Sequence, residues 1–451
     1  MKLQELQKKN IIIWGAGRDG LSALGQIKKL FPTKKILIFT DKEAPPELSA
    51  ELRRQGSVEF VSGHHIVENL SRSDVVIKSP GVSLYRDDIK SAAKKGVRFI
   101  STTNLWFAEI GDKNIIAVTG TKGKSTTASI IYHCLNKLGL SVEICGNIGN
   151  PLLDYLDKRH NTDIFIVELS SYQTADIAYT PKIGILVNLF PEHIDWHKSI
   201  DNYFQDKLRL FNPGQHHYTV LNYKDKITRD LTAGWSGVQF FEKDDVIHSK
   251  ENSIYFGKEN LGRIKNAHLQ GEHNLSNICA ALTGIQAAGY DPIKCTAYLE
   301  NFVGLPHRQQ VLGTRDGLLF VDDSISTTPE TALAAIKRFL GSPITILLGG
   351  YDRKQNYEAL ANFLCLKQIH MVITLPDNGH RIAAAVRKEK ERIGAGPNLL
   401  EADNLLSAVK AAKRHTPIGG IVLLSPAAPS YGIFDSFEER GKIFRRLAGL
   451  N

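Results

Sequence analysis

The chain reads as an α/β protein of mainly parallel, doubly wound sheets in three domains. Three observations carry that reading. Short apolar runs of strand type alternate with segments of helical period along the whole length. Two glycine-rich loops each fall between such a run and a helical segment. With 451 residues, 42% of them hydrophobic and 23% charged, the chain can bury two to three cores.

The first block, residues 1–110, opens with a strand over Asn10–Trp14, then Gly15-Ala-Gly17-Arg-Asp-Gly20, a helix through Leu30, a strand over Lys35–Thr40, and Asp41. This Gly-x-Gly-x-x-Gly spacing makes the block Rossmann-like. Pyrophosphate can rest on the helix N-terminus, and a carboxylate ending the next strand can contact a ribose. NAD and a nucleotide sugar offer the same groups, and a tight structural turn is the plain alternative. Strands follow over Asp74–Ile77, before Lys78-Ser79-Pro80-Gly81, and over Val97–Ser101.

The second block, residues 111–304, starts with the β-type run Asn114–Val118 and the loop Gly120-Thr-Lys-Gly-Lys-Ser-Thr126, which opens a helical segment from Lys124 through Leu138. Free N–H groups at a helix N-terminus favour anionic oxygens. Gly120 and Gly123 let the backbone approach, Lys124 neutralises phosphate charge, and Ser125 can ligate Mg²⁺. The loop is a shorter variant of the P-loop, and the block is expected to be of the P-loop ATPase type. A strand over Ile164–Val167 ends in Glu168, which can share Mg²⁺ with Ser125. A strand over Ile183–Asn188 leads to Glu192-His193, placing His193 at the same edge for a metal or phosphate role. Lys207 reads, on sequence alone, as a solvated helical lysine. Residues 215–270 look shorter in period and β-like, and a helix over His273–Ala288 is closed by Gly289.

The last block, residues 305–451, has strands over Leu318–Val321, Ile344–Leu348, Met371–Leu375 and Ile421–Leu424, with a helix opened by Thr328 as N-cap and Pro329 at its first position. It reads as a second Rossmann-like sheet.

The start of the chain carries no signal-peptide pattern, and no span suits a bilayer, so a cytoplasmic protein without membrane insertion is expected. Five scattered cysteines without a C-x-x-C pair read as reduced core residues rather than a zinc site. The net charge of +9 is spread over many faces, which suits polyanionic small molecules and not nucleic acid.

Taken together the chain resembles the Mur ligase family over essentially its whole length, and its glutamate-adding members most closely. The residues that carry this are Gly120–Thr126, Gly146-Asn-Ile-Gly149, Glu168-Leu-Ser-Ser-Tyr-Gln173, Glu192-His193, Lys207-Leu-Arg, Gly271-Glu-His-Asn-Leu-Ser-Asn277, Gly304-Leu-Pro-His-Arg308, Asp322-Asp-Ser324, Leu348-Gly-Gly350 and Leu424-Ser-Pro-Ala427. The resemblance implies an ATP-dependent acid–amino-acid ligase of peptidoglycan precursor synthesis, monomeric, that joins glutamate to UDP-N-acetylmuramoyl-L-alanine through an acyl phosphate. It implies ATP on Gly120, Thr121, Lys122, Gly123, Lys124, Ser125, Thr126, Asn274 and Asn277, with Arg308 and Asp323 reaching it from the last domain. The UDP substrate falls to Gly15, Gly17, Arg18, Asp19, Asp41, Ser79, Asn147 and His193. Mg²⁺ falls to Ser125, Glu168, His193 and a carbamylated Lys207, and catalysis to Lys124, Glu168, His193 and Lys207. Thr327, Arg353, Ser430 and Phe437 are implied for the amino acid, with Lys354 a second candidate cation.

The sequence departs from the family's D-glutamate pattern at two places. Ile325 stands in Asp323-Ser-Ile-Ser-Thr-Thr328 where a lysine is usual, and Ser430-Tyr431-Gly432 lacks the usual acid. D-glutamate is expected slightly ahead of L-glutamate. An NAD-dependent oxidoreductase would leave Lys124 and Ser125 unexplained. A folylpolyglutamate synthase would not need residues 1–110, and a non-catalytic nucleotide switch would not keep Lys124, Glu168, His193 and Lys207 together.

Overall fold

The computed structural model describes residues 1–41, 57–63, 70, 72–111, 113–148, 150–211, 217–266, 269–304, 306–352, 355–367, 369–430 and 432–450. They divide into two compact units, Met1–Phe302 and Val303–Asn451.

In the first unit, β-branched runs form the parallel strands β1 (Ile11–Trp14), β2 (Ile36–Thr40), β3 (Val58–Ser62), β4 (Val75–Lys78) and β5 (Arg98–Ser101) in the order β3-β2-β1-β4-β5. Helices α1 (Arg18–Leu30), α2 (Asp87–Lys94) and α3 (Thr102–Ile110) accompany them. The order reverses at β1, so a crevice opens at its carboxyl end, where the glycine loop lies.

A second parallel sheet follows the order β11-β10-β9-β6-β8-β7. Its strands are β6 (Ile115–Thr119), β7 (Val142–Gly146), β8 (Ile164–Glu168), β9 (Ile183–Leu186), β10 (Tyr218–Asn222) and β11 (Val238–Phe241). Among them run α4 (Lys124–Lys137), the short turns α5 (Ser171–Thr174) and α6 (Ile194–His197), α7 (Ile200–Leu208) and α8 (Lys226–Leu231). β6 is central, paired with β8 and β9, so the phosphate loop leaves the sheet between two other strand ends. The β-like stretch after 215 also holds an antiparallel trio, β12 (Ile247–Lys250), β13 (Ser253–Phe256) and β14 (Glu259–Arg263). α9 (Glu272–Ala287) packs into the core beside α4, and α10 (Pro292–Tyr298) follows. One apolar cluster runs without a break from the first sheet into the second, joining Ile13, Ile77 and Trp106 to Phe165 and Leu221.

The second unit is one sheet in the order β15-β16-β20-β17-β18-β19. Its strands are β15 (Gln310–Arg315), β16 (Leu318–Asp322), β17 (Ile344–Gly349), β18 (Met371–Leu375), β19 (Asn398–Glu401) and β20 (Ile421–Leu424). All pair in parallel except the edge strand β15. The helices are α11 (Pro329–Arg338), capped by Thr328 as expected, α12 (Glu358–Leu366), α13 (Gly379–Ile393), α14 (Leu405–His415) and α15 (Phe437–Ala448). All five cysteines are buried and free. Among the described residues no helix is long and apolar enough to cross a membrane.

Candidate active site

The phosphate loop is shaped by its glycines and pinned from β9. Gly123 caps α4 in the left-handed region (φ 81°), and a Cβ there would sit 2.2 Å from Asn277 Oδ1. The N–H of Thr121 donates to Asn188 O (3.0 Å) and that of Lys122 to Asn188 Oδ1 (2.9 Å). Lys124 Nζ donates to the carbonyls of Gly120 (3.1 Å) and Thr121 (3.0 Å). Ser125 is buried in the first turn of the helix, and Thr126 is half-buried beside it.

Lys207 is not the solvated lysine that its helical context suggests. It is 2% exposed, because α7 turns that face into the protein, and its Nζ donates to Gly120 O at 2.7 Å. Burial, and then the charge of Lys124, holds its amine well below the usual lysine range. Lys124 and Lys207 thus both donate to the Gly120 carbonyl just ahead of the N-terminus of α4, a setting that suits phosphate oxygens.

Glu168 ends β8 at 1% exposure and is not a strand-end acid facing water. Its Oε1 accepts from Asn147 Nδ2 at 2.7 Å, while Oε2 is buried without a hydrogen-bond partner among the described residues. A carboxylate oxygen left without a donor in that way fits a bound cation. His193, with φ 57°, heads α6. Its ring lies 3.6 Å from Glu192 Oε2, and Glu192 also pairs with Lys122. Burial lowers its imidazole from the ordinary value; Glu192 opposes the shift and Lys207, Lys122 and Lys124 add to it, so the net effect favours the unprotonated ring. Glu168, Glu192, Lys124 and Lys207 therefore lie within one electrostatic neighbourhood.

Seven of the eight residues assigned to the UDP substrate line a single cleft of about 400 Å³: Gly15, Gly17, Arg18, Asp19, Asp41, Ser79 and Asn147. His193 is not among its lining. A Cβ at Gly20 would fall 1.9 Å from Gly15 O, which explains the third glycine of the fingerprint as close packing. Asp41 is already held: Oδ1 pairs with Arg86 Nη2 at 3.0 Å and Oδ2 accepts from Trp14 Nε1 at 3.2 Å. The Arg86 guanidinium in turn lies 4.7 Å from the centre of the Trp14 ring. The facing wall is Ser170, Tyr172 and Gln173. Their positions lie inside the motif around Glu168, but no residue type there announced a wall.

Asn277, 3% exposed, lies behind the loop, with its Nδ2 donating to Asn274 Oδ1 at 3.4 Å. In the second unit Arg308 is exposed, whereas Asp323 is 1% exposed and its oxygens accept from Gln309 N (3.0 Å), Ser326 Oγ (2.5 Å) and Ser425 Oγ (2.6 Å). Burial pushes its carboxyl up to about 6. Thr327 is half-buried and its carbonyl accepts from Gln355 Nε2 (3.1 Å). Ser430 is buried, and Phe437 opens α15 with its carbonyl accepting from Ser324 Oγ (2.8 Å). Arg353 and Lys354 lie outside the described residues. Arg440, in the run Phe437-Glu-Glu-Arg-Gly441 that also resembles the family, has no role assigned from sequence; it is 1% exposed and donates to Ser324 Oγ and O at 3.0 and 2.8 Å.

A model for the Mur ligase middle domain matches residues 118–284, and one for the Mur ligase MurD-like N-terminal domain matches residues 9–101. The UDP-N-acetylmuramoyl-L-alanine--L-glutamate ligase of Xanthomonas campestris pv. campestris (strain 8004) is 35% identical over 460 residues, covering 100% of this chain and 97% of that protein. The protein of the same name from Micromonospora sp. is 34% identical over 98% of this chain and 97% of its own. Among solved structures, MurF from Acinetobacter baumannii is similar with a TM-score of 0.60 at 14% identity, covering 99% of this chain and 98% of that one. The UDP-N-acetylmuramate-alanine ligase MurC from Thermotoga maritima is similar with a TM-score of 0.55 at 19% identity, covering 97% and 98%.

Proposed function

The chain belongs to the Mur ligase family, and from that membership we propose that it is an ATP-dependent ligase joining L-glutamate to UDP-N-acetylmuramoyl-L-alanine in peptidoglycan precursor synthesis. The observation that carries the reading is Asn147. From the wall of the cleft it donates to Glu168, the buried carboxylate beside the phosphate loop, so an acceptor site and a nucleotide site share one hydrogen bond. The names of the relatives favour L-glutamate over the D-isomer expected from sequence. The loss of the usual lysine at Ile325 agrees with a changed amino-acid pocket.

In this reading the cleft holds the UDP portion against Gly15, Gly17 and Ser79, with Arg18 and Asp19 at the helix N-terminus. Asp41, engaged by Arg86 and Trp14, would present an oriented carboxylate to a ribose. The loop, with Lys124, would hold the ATP phosphates and offset charge on the transferred group. Asn274 and Asn277 are proposed for the adenosine. The acceptor carboxylate attacks the terminal phosphorus, ADP leaves, and the amine of glutamate then attacks the acyl phosphate to release inorganic phosphate. Arg308 and Asp323, with Thr327, Ser430 and Phe437 for the amino acid, are the proposed contribution of the second unit.

Ser125, Glu168, His193 and Lys207 are the residues that would hold Mg²⁺, which when bound supplies charge neutralisation at the phosphates. Glu168 Oε2, without a hydrogen-bond partner among the described residues, and the His193 ring, whose proton binding burial weakens, fit that use. The unprotonated amine is the form that adds CO₂, and burial that weakens proton binding at Lys207 favours it. The N–C bond forms, one amine proton leaves to solvent, and an anionic carbamate oxygen stands where the amine stood. A bicarbonate carbon label on Lys207 would report the carbamate. The acyl phosphate is tested by labelling the acceptor carboxylate with heavy oxygen: one labelled oxygen should appear in the released phosphate, and unlabelled phosphate would refute the step.

A further inference from the structure

A buried chain of hydrogen bonds behind the cleft takes no part in the chemistry above. His197 Nε2 lies 3.0 Å from Ser171 Oγ, and His197 Nδ1 lies 2.6 Å from Asp206 Oδ2. The phenol of Tyr85 donates to both Asp206 oxygens, at 3.1 and 3.0 Å. Ser171, His197 and Asp206 are 2%, 0% and 1% exposed.

The order Ser, His, Asp is that of a nucleophilic triad, but this one has nothing to attack. Ser171 is sealed from solvent, and the rings of Tyr172 and Trp196 lie 5.6 and 4.4 Å from the imidazole. What the chain does have is a functional neighbour at each end. Ser171 opens the turn whose Ser170, Tyr172 and Gln173 form one cleft wall. Tyr85 follows the opposite wall, Ser79 to Val82, which is tied to the same seam by Ser83 Oγ donating to Trp196 O (2.7 Å) and Trp196 Nε1 donating to Gly81 O (3.1 Å). Asp206 directly precedes Lys207, whose amine reaches the phosphate loop at Gly120. A carboxylate out of water with phenol and imidazole partners is a strong, directional joint.

We propose that Asp206 is a positioning residue: through Tyr85 on one side and His197 and Ser171 on the other, it holds the Lys207 helix in register with both walls of the acceptor cleft. The inference rests on the ligase reading above. It assigns to these four side chains the alignment of the acceptor carboxylate with the phosphate loop, a precision on which near-attack geometry depends.

The test compares Tyr85→Phe, Asp206→Asn and the double variant, with turnover expressed per ADP-binding site so that misfolded protein is not counted. Each single variant should lose at least about tenfold in kcat with its Kd for ADP within about twofold of wild type. Since both act through one carboxylate, the double variant should be no slower than Asp206→Asn alone. Tyr85→Phe keeps its ring and only removes a hydroxyl, so it decides the matter if Asp206→Asn fails to fold. Unchanged turnover per site in Tyr85→Phe, or losses that multiply in the double variant, would overturn the inference. A wild-type protein that does not turn over at all counts against the ligase reading and this inference together.

Discussion

Asn147 donates its side-chain N–H to Glu168 Oε1 at 2.7 Å and leaves Glu168 Oε2 buried without a hydrogen bond among the described residues. The backbone repeats the link, with Asn147 N–H donating to Glu168 O at 2.8 Å. In the proposed function Glu168 is a Mg²⁺ ligand and Asn147 lines the acceptor cleft, so Asn147 would act on both metal and substrate. Asn147→Ala should therefore raise the Mg²⁺ concentration needed for half-maximal rate and lower kcat/KM for the UDP substrate, each by roughly 10–100-fold. Magnesium titrations of initial rate check it.

Lys207, proposed above for the metal site, carries a stability cost from its burial. Its folded amine binds protons more weakly than the unfolded one, so stability conferred by this residue rises with pH toward the ordinary lysine value of about 10.4 and is lost as pH falls through the folded value. Lys207→Met removes that slope. In bicarbonate-free buffer at neutral pH the variant should be inactive yet more stable than wild type, on the order of 1 kcal/mol. Denaturant melts across pH would read both.

Gly123 is constrained twice, by φ 81° and by Asn277 Oδ1, which lies 2.2 Å from where a Cβ would stand. Gly123→Ala is expected to cost about 1–3 kcal/mol of stability and to weaken ADP binding, because relief requires the loop to move from Asn277. Calorimetric ADP titration with a parallel thermal melt distinguishes the two effects.

Asp323 gives a pH signature in the opposite sense. Its folded carboxyl, at about 6, lies above the ordinary 3.8, so its favourable contribution is complete below about pH 4 and is lost as pH rises through 6. Asp323→Asn should gain on wild type across that window by up to about 3 kcal/mol, whatever its offset at low pH. A constant difference between the two melting curves would contradict the assigned burial cost.

The sequence was most legible where one force acts alone. β18 and β20 begin and end where their strand-type runs do, and Thr328 with Pro329 marks the start of α11. β19, the half-exposed edge run Asn-Leu-Leu-Glu, has no clean period, and the antiparallel β15 is held by its pairing with β16. The phosphate loop was readable because phosphate demands glycine and lysine at fixed spacing. Lys207 was not, since nothing local says that α7 turns inward, and Asp206 and His197 acquire meaning only when the fold brings Tyr85 and Ser171 to them.

The most direct measurement is phosphate release from ATP with UDP-N-acetylmuramoyl-L-alanine, comparing L-glutamate, D-glutamate and no amino acid. Release that requires the UDP substrate and is driven by L-glutamate is the predicted result. Turnover with D-glutamate alone would contradict the amino-acid assignment, and silence with both would contradict the proposed function.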